Sequence, residues 1–391
     1  MKNLWDDTQA SVCKNDLALR VYTSNLLGED DALVLHGGGN TSVKIRENGE
    51  DILYVKGSGW DLVSIKEEGF APVRLSALLE MAKLESLSDT DMVLGQKAAM
   101  TNPEAPNPSV EAILHALIPF KFVDHTHADA IVTLSNSKEG EALIAELFPD
   151  FLIIPYVMPG FILAHTIHKM TKDFDWQKCR GIILHHHGIF TFDDDARRSY
   201  EKMIEAVTAA ETFLDSRTTL SLNISEPKAH LDTDTLKALI EKAKGQKVVM
   251  AIDQSPLALK YASQTHLKAF ATRGVLTPEH IIRTKRIPLV IKDRDMAGAI
   301  TEYLAAYMAY FNHYAENETM LNPAPNYAVV KEYGVVLFGK NEKETHILRD
   351  IVTHTMQAVL RADQLGGYRS ISEKDSFEME YWELEQAKIK A

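Results

Sequence analysis

Two histidines one residue apart stand inside an apolar run, FVDHTHADAI, residues 122 to 131. Three more are consecutive, His185, His186 and His187, within RGIILHHHGIFTF. Of 15 histidines, five therefore fall in two short motifs, which is hard to reconcile with scattered surface positions. Each buried imidazole needs a polar partner. On strands, alternation would place His125 and His127 on one face, and His185 and His187 on one face with His186 opposite. Three neutral imidazoles with an open fourth position suit a catalytic tetrahedral zinc ion. A histidine-rich core is the competing reading. HExxH and paired CxxC are absent, which excludes a metalloprotease helix and a zinc finger.

A metal that polarises a carbonyl still needs a base. PNPSVEAILHALIP supplies Ser109 as a helix cap and Glu111 in the first turn, although Glu111 there would also simply complement the helix dipole. Asp124 and Asp129 are weaker candidates, and Asp193, Asp194 and Asp195 suit caps of the next helix. Two glycine loops, HGGGNTSVKI and VKGSGW, could turn backbone N–H groups toward a phosphate, with Lys44 and Lys56 as nearby charges. Ordinary hairpin turns would use the same glycines. The spacings match neither GxGxxG nor GxxxxGK[ST], so neither a dinucleotide fingerprint nor a P-loop is present.

The elements that must position these groups follow from periodicity. Short apolar runs alternating with helical patterns indicate an α/β chain. Helices are expected over Asp16–Leu27, Val110–Leu117 and Asp194–Leu214, and strands over Lys121–Ile131 and Gly181–Phe192. LVLHGGGNTSVKI reads as strand–turn–strand and DILYVKGSG as a second hairpin arm. The polar stretch at 221–235 separates two domains, 1–225 and 236–391. The second domain contains an internal repeat of the first. GIILHHHGIFTF and the helix after it overlay YAVVKEYGVVLF and its helix without a gap, pairing Gly188 with Gly334, Phe192 with Phe338 and Leu214 with Leu360. A chance match of two amphipathic helices is the bland alternative. HHH in the first copy is KEY in the second, so the second copy would be metal-free.

Composition sets the outer limits. A chain of 391 residues, 45% hydrophobic and 25% charged, is that of an ordinary globular protein. Its net charge of −13 argues against nucleic acid. No apolar run reaches the ~18 residues of a membrane span, and no secretory signal opens the chain, so a soluble, cytoplasmic protein is expected. Two cysteines, Cys13 and Cys179, preclude a disulfide framework.

GGGNTSVK, KGSG, PSVE, HTHAD and HHGIFTF, in that order over about residues 15 to 215, resemble the class II aldolase/adducin family, a zinc-dependent sugar-phosphate fold. TPEHIIRTK, LNPAP and LGGYRSISEKDSFEMEYWELEQAKIKA extend the likeness over nearly the whole chain, to the aldolase part of bifunctional rhamnulose-1-phosphate aldolase/alcohol dehydrogenases. The dehydrogenase module of those proteins is not expected here. The resemblance implies a class II aldolase-like mixed sheet flanked by helices, with a second α/β domain as a degenerate repeat. It implies Zn²⁺, or another divalent cation, on His125, His127 and His187, with Glu111 as catalytic acid/base. Asn40, Ser58, Gly59 and Ser109 match phosphate-binding positions. Val110 departs, standing where simpler members carry a second small hydroxyl residue. His185 and His186 match no ligand.

The activity implied is retro-aldol cleavage of a ketose 1-phosphate to dihydroxyacetone phosphate and a short aldehyde, by a homo-oligomer. A second acid/base is often a tyrosine from a neighbouring subunit; Tyr156, Tyr307 and Tyr333 are the candidates. Rival readings are another zinc-dependent sugar-phosphate enzyme (epimerase, decarboxylase or dehydratase) and a non-catalytic adducin-like module.

Overall fold

The computed structural model describes residues 1–390, with side chains through residue 387. The chain divides into two compact units. The first holds Met1–Ser135 and Gly140–Ser216; the second holds Arg217–Ile389 together with the short excursion Asn136–Glu139. Both are α/β, and the first has the large mixed sheet flanked by helices that the sequence leads one to expect.

The first unit's strands are β1 (Asn40–Glu47), β2 (Glu50–Lys56), β3 (Phe70–Arg74), β4 (Phe122–Thr126), β5 (Phe151–Ile154), β6 (Gly181–Leu184) and β7 (Gly188–Asp193). They lie in the order β3-β2-β1-β4-β7-β6-β5. Every neighbouring pair is antiparallel except β5 and β6. β4 and β7 are central and buried along their length, which is why they read as continuous apolar runs with a few polar residues embedded.

Helices cover both faces of β4. Asp124 points to the side of the Asp16–Gly28 and Ala196–Arg217 helices, where its carboxylate accepts from Arg20 Nη2 at 2.5 Å and from the Ser199 hydroxyl. Val43, Phe122 and Ala196 pack there with Leu17, Leu19, Ile45 and Tyr54. Arg20 and Asp124 are both fully buried, so Asp124 holds the fold rather than acting as a base. The opposite face carries His125.

Several expected boundaries move. No strand forms at Leu33–Leu35: the chain turns at Asp31–Leu33, where the Asp30 carbonyl accepts from the N–H of Leu33 and Val34. The strand expected to reach Ile131 stops at Thr126, and Asp129–Ser135 is a helix; a short apolar run does not declare its period. The strand expected over Gly181–Phe192 is two strands joined by a turn at His185–His187, with His186 left-handed at φ +59°. His185 and His187 are therefore turn residues, not alternate residues of one strand. The helix after PNPS begins at Ala112, and the long helix runs Ala196–Arg217, with the Asp195 carboxylate accepting from Arg198 N–H as expected of a cap.

The second unit holds β8 (Val249–Asp253), β9 (Leu289–Ile291), β10 (Tyr327–Val330) and β11 (Gly334–Gly339) in the order β8-β11-β10-β9. Leu236, Ile240, Ile300 and Tyr303 from two helices pack on Ala328, Val330, Val336 and Phe338. The β10–β11 hairpin has the bounds that the sequence overlay with β6–β7 assigns, and the following helix, Glu342–Gln364, starts at the matching position.

Candidate metal centre

The site is built on one row across three adjacent strands. Asn40 of β1 is paired with His125 of β4, and His125 with Phe190 of β7. Cross-strand partners share a face, so the His125 ring stacks on Phe190, centroids 4.0 Å apart at 12°. Its Nδ1 donates to the Ile189 carbonyl at 3.0 Å, which leaves the Nε2 lone pair facing outward, as a metal-ligating imidazole needs. His127 lies just past the end of β4, and His187 arrives from the β6–β7 turn, whose N–H donates to the Leu184 carbonyl at 3.1 Å.

One nitrogen from each of His125, His127 and His187 lies within 4.8 Å of the others. The Nε2 atoms of His125 and His127 are 3.1 Å apart. Two nitrogens bound to one tetrahedral zinc at ~2.0–2.1 Å would be separated by about 3.3 Å, so this spacing fits a shared cation. Borderline imidazole donors suit zinc and its first-row neighbours alike.

Glu111 immediately precedes the Ala112–Leu117 helix, with its N–H donating to Ser109 Oγ at 3.3 Å. Its carboxylate is buried beside the rings, Oε2 3.4 Å from His125 Nε2 and Oε1 3.8 Å from His187 Nε2. Oε2 also accepts from Asn40 Nδ2 at 2.7 Å, whereas Oε1 has no hydrogen-bond partner. A buried carboxylate oxygen left open beside three convergent imidazoles is a further sign that something belongs there.

The glycine loops lie along the same edge. Ser58 N–H donates to Asn107, Ser109 N–H donates to Lys56, and Gly57 bridges Pro108, so VKGSG is stitched to NPS. Gly59 adopts φ +87° with open space where a Cβ would be. Lys56 is buried, with Nζ 3.5 Å from the Gly37 carbonyl.

Lys44 corrects the sequence reading. Its ammonium donates to the carbonyls of His115, Ile118 and Phe120 at 2.7–2.9 Å, closing the C-terminal end of the Ala112–Leu117 helix, and burial pulls its pKa down to about 7. It offers no charge to a phosphate.

Tyr307 and Tyr333 belong to the second unit. The Tyr307 hydroxyl is committed to Glu380 and Tyr381, both at 2.8 Å, and burial pushes its pKa well up. The residue that sequence reasoning missed is His115, fully buried, bonded to Asn40 and Ser42. It lies four positions after Glu111, a spacing that signals a shared helical face.

The β1–β4–β7 row thus brings a buried carboxylate beside three imidazoles that are positioned for a metal. The sequence profile of the Class II Aldolase and Adducin N-terminal domain matches residues 19–214, and that of the class II aldolase second domain matches residues 228–389. The chain belongs to the class II aldolase family.

All of it is similar to a Bacillus subtilis (strain 168) protein named "Uncharacterized oxidoreductase YuxG", at 27% identity over 417 positions, and it spans 60% of that protein's length. Among solved structures it resembles the N-terminal class II aldolase domain of a conserved protein from Thermoplasma acidophilum, at 40% identity and a TM-score of 0.50, over 55% of this chain and 99% of that one. Among the described residues no helix is long and apolar enough to cross a membrane.

Proposed function

We propose that this chain is a zinc-dependent aldolase acting on a ketose 1-phosphate of the rhamnulose-1-phosphate type, releasing dihydroxyacetone phosphate and a short aldehyde. Residues 1–225 form the catalytic domain, and 236–391 a metal-free repeat. The observation that carries this reading is the buried Glu111 carboxylate lying 3.4 and 3.8 Å from nitrogens of two of the three convergent histidines.

His125, His127 and His187 hold the cation. When bound, it supplies Lewis acidity to the substrate ketone and adjacent hydroxyl. Glu111 moves a proton at the neighbouring carbon: it gives that proton up in cleavage and takes it back in synthesis. Asn40, Ser58, Gly59 and Ser109 border the phosphate end. The family resemblance further supports a homo-oligomer working in the cytoplasm, with no nucleic acid or membrane partner.

The test is release of dihydroxyacetone phosphate from a panel of ketose 1-phosphates, with bound metal quantified. Activity should vanish on chelation, return with zinc, and be lost in Glu111→Gln with metal retained. Metal-loaded protein that converts ketose phosphates only into isomers would replace this reading with an epimerase. Cleavage undiminished by complete metal removal would overturn it.

A further inference from the structure

His115 is fully buried, and both of its ring nitrogens are engaged. Nε2 meets Asn40 Oδ1, and Nδ1 lies 2.7 Å from Ser42 Oγ. Asn40 and Ser42 are alternate residues of β1, so they present side chains to one face. The ring spans both from the Ala112–Leu117 helix above.

The direction of every bond in this chain is fixed by the carboxylate at its end. Asn40 Nδ2 lies 2.7 Å from Glu111 Oε2, so the Asn40 group that donates to the carboxylate is its NH₂. Asn40 Oδ1 then faces His115 and needs a donor, which makes Nε2 the protonated nitrogen. Nδ1 is left as an acceptor, and the Ser42 hydroxyl donates to it. A neutral ring meets these demands, and burial, followed by the nearby His125, Lys44 and Arg20, holds the pKa of His115 well below its ordinary value. The Glu111 side offers a matching asymmetry, since Oε2 is bonded and Oε1 is not.

We propose that His115 is a positioning residue: with Ser42 it locks the Asn40 carboxamide so that its N–H₂ fastens Glu111 Oε2, leaving Oε1 as the oxygen that exchanges the substrate proton. This rests on the aldolase reading above and adds to it which oxygen acts and what holds it. Without the imidazole, the Asn40 amide is free to turn over and present its oxygen to Glu111, repelling the carboxylate it now steadies.

The test compares His115→Leu with His115→Gln in the zinc-loaded full chain. The leucine removes both ring nitrogens, whereas the glutamine keeps a donor for Asn40. For His115→Leu we expect kcat to fall about 10- to 100-fold, a part of what general acid–base catalysis supplies, with bound zinc unchanged. His115→Gln should recover most of that loss. Exchange of the Asn40 side-chain amide with water, followed by ¹⁵N NMR after selective asparagine labelling, reads the lock without substrate: slow in the native protein and in His115→Gln, fast in His115→Leu. Equal kcat in all three, a loss confined to KM or to metal content, or an Asn40 amide equally protected in His115→Leu would overturn the proposal. If the native protein cleaves no ketose 1-phosphate, the aldolase reading fails, and the lock stands or falls on amide exchange alone.

Discussion

The β6–β7 hairpin of the first unit and the β10–β11 hairpin of the second share a backbone and differ in chemistry. Their registers coincide: Gly181 pairs with Thr191 and Leu184 with Gly188, as Tyr327 pairs with Leu337 and Val330 with Gly334. Each has a parallel neighbour on one side, β5 or β9, and an antiparallel one on the other, β4 or β8. Each turn has a left-handed middle residue, His186 at φ +59° and Glu332 at φ +56°.

Even the turn's outward bonds correspond. His185 N–H donates to Ile154 and Lys331 N–H to Ile291; His186 N–H donates to Ser135 Oγ and Glu332 N–H to the Ala262 carbonyl. Yet where the first unit has His125, His127 and His187, the second has Ile252, Gln254 and Tyr333. The scaffold does not require the imidazoles. They are an addition to it, which is the expected mark of residues kept for chemistry rather than packing.

The comparison can be broken in several places. The largest effect is expected from His187→Tyr, which gives the first turn the residue of the second. On the proposed function, losing one of the three proposed ligands should cost more than the roughly 10- to 100-fold that removal of a ligand's hydrogen-bond partner costs, so bound zinc and any cleavage activity should both disappear while the fold is retained by circular dichroism. The reciprocal graft, Ile252→His with Gln254→His and Tyr333→His, should add a second, weaker zinc equivalent per chain by metal analysis. No added zinc would show that the shared backbone is insufficient to shape the site.

Next in size is Asp124→Ala. The corresponding β8 residue is Ala251, with no buried ion pair. Leaving Arg20 buried and uncompensated should cost about 3–5 kcal/mol in the unfolding transition of the first unit, and Arg20→Met with Asp124→Leu should recover most of it. The smallest effect is that of His186→Gly and Glu332→Gly. Relief at φ near +60° and the added freedom of the unfolded glycine offset each other, so each should change stability by no more than about 1 kcal/mol, with the same sign in both turns. Opposite signs in denaturant titrations would mean that the two turns are not held alike.

Much of this was legible in the sequence because it is written locally. The repeat could be read without structure, since strand, turn and helix each carry their own hydrophobic period and the spacing between them is fixed. The two histidine motifs stood out by residue type, whereas Glu111 and the choice of His187 among three consecutive histidines came from the family resemblance. The turn at His185–His187 was not legible: no Gly, Asn or Pro stands within LHHH, Gly188 comes only after it, and a three-residue loop between apolar runs looks like unbroken strand. The same ambiguity carried β4 too far, past His127 into the Asp129–Ser135 helix.

Register was the other hidden quantity. Only the pairing of Asn40 with His125 and of His125 with Phe190 reveals that residues far apart in the chain form one row. It also decides that Lys44 turns toward carbonyl oxygens at a helix end, away from any anion.

Gly188 directly follows the last of the three convergent histidines and looks like part of the chemical motif. A Cβ there would lie 2.3 Å from the Thr126 carbonyl oxygen, and one at Gly334 would lie 2.4 Å from the Asp253 carbonyl oxygen, the same place in the other unit. The glycine is thus demanded by how closely two chains of peptide bonds approach, whether or not an ion is nearby. In a relative that retained this glycine but lost the imidazole before it, an intact hairpin would be expected and an inert one, so a search that counts both letters as evidence of catalysis would mistake architecture for activity.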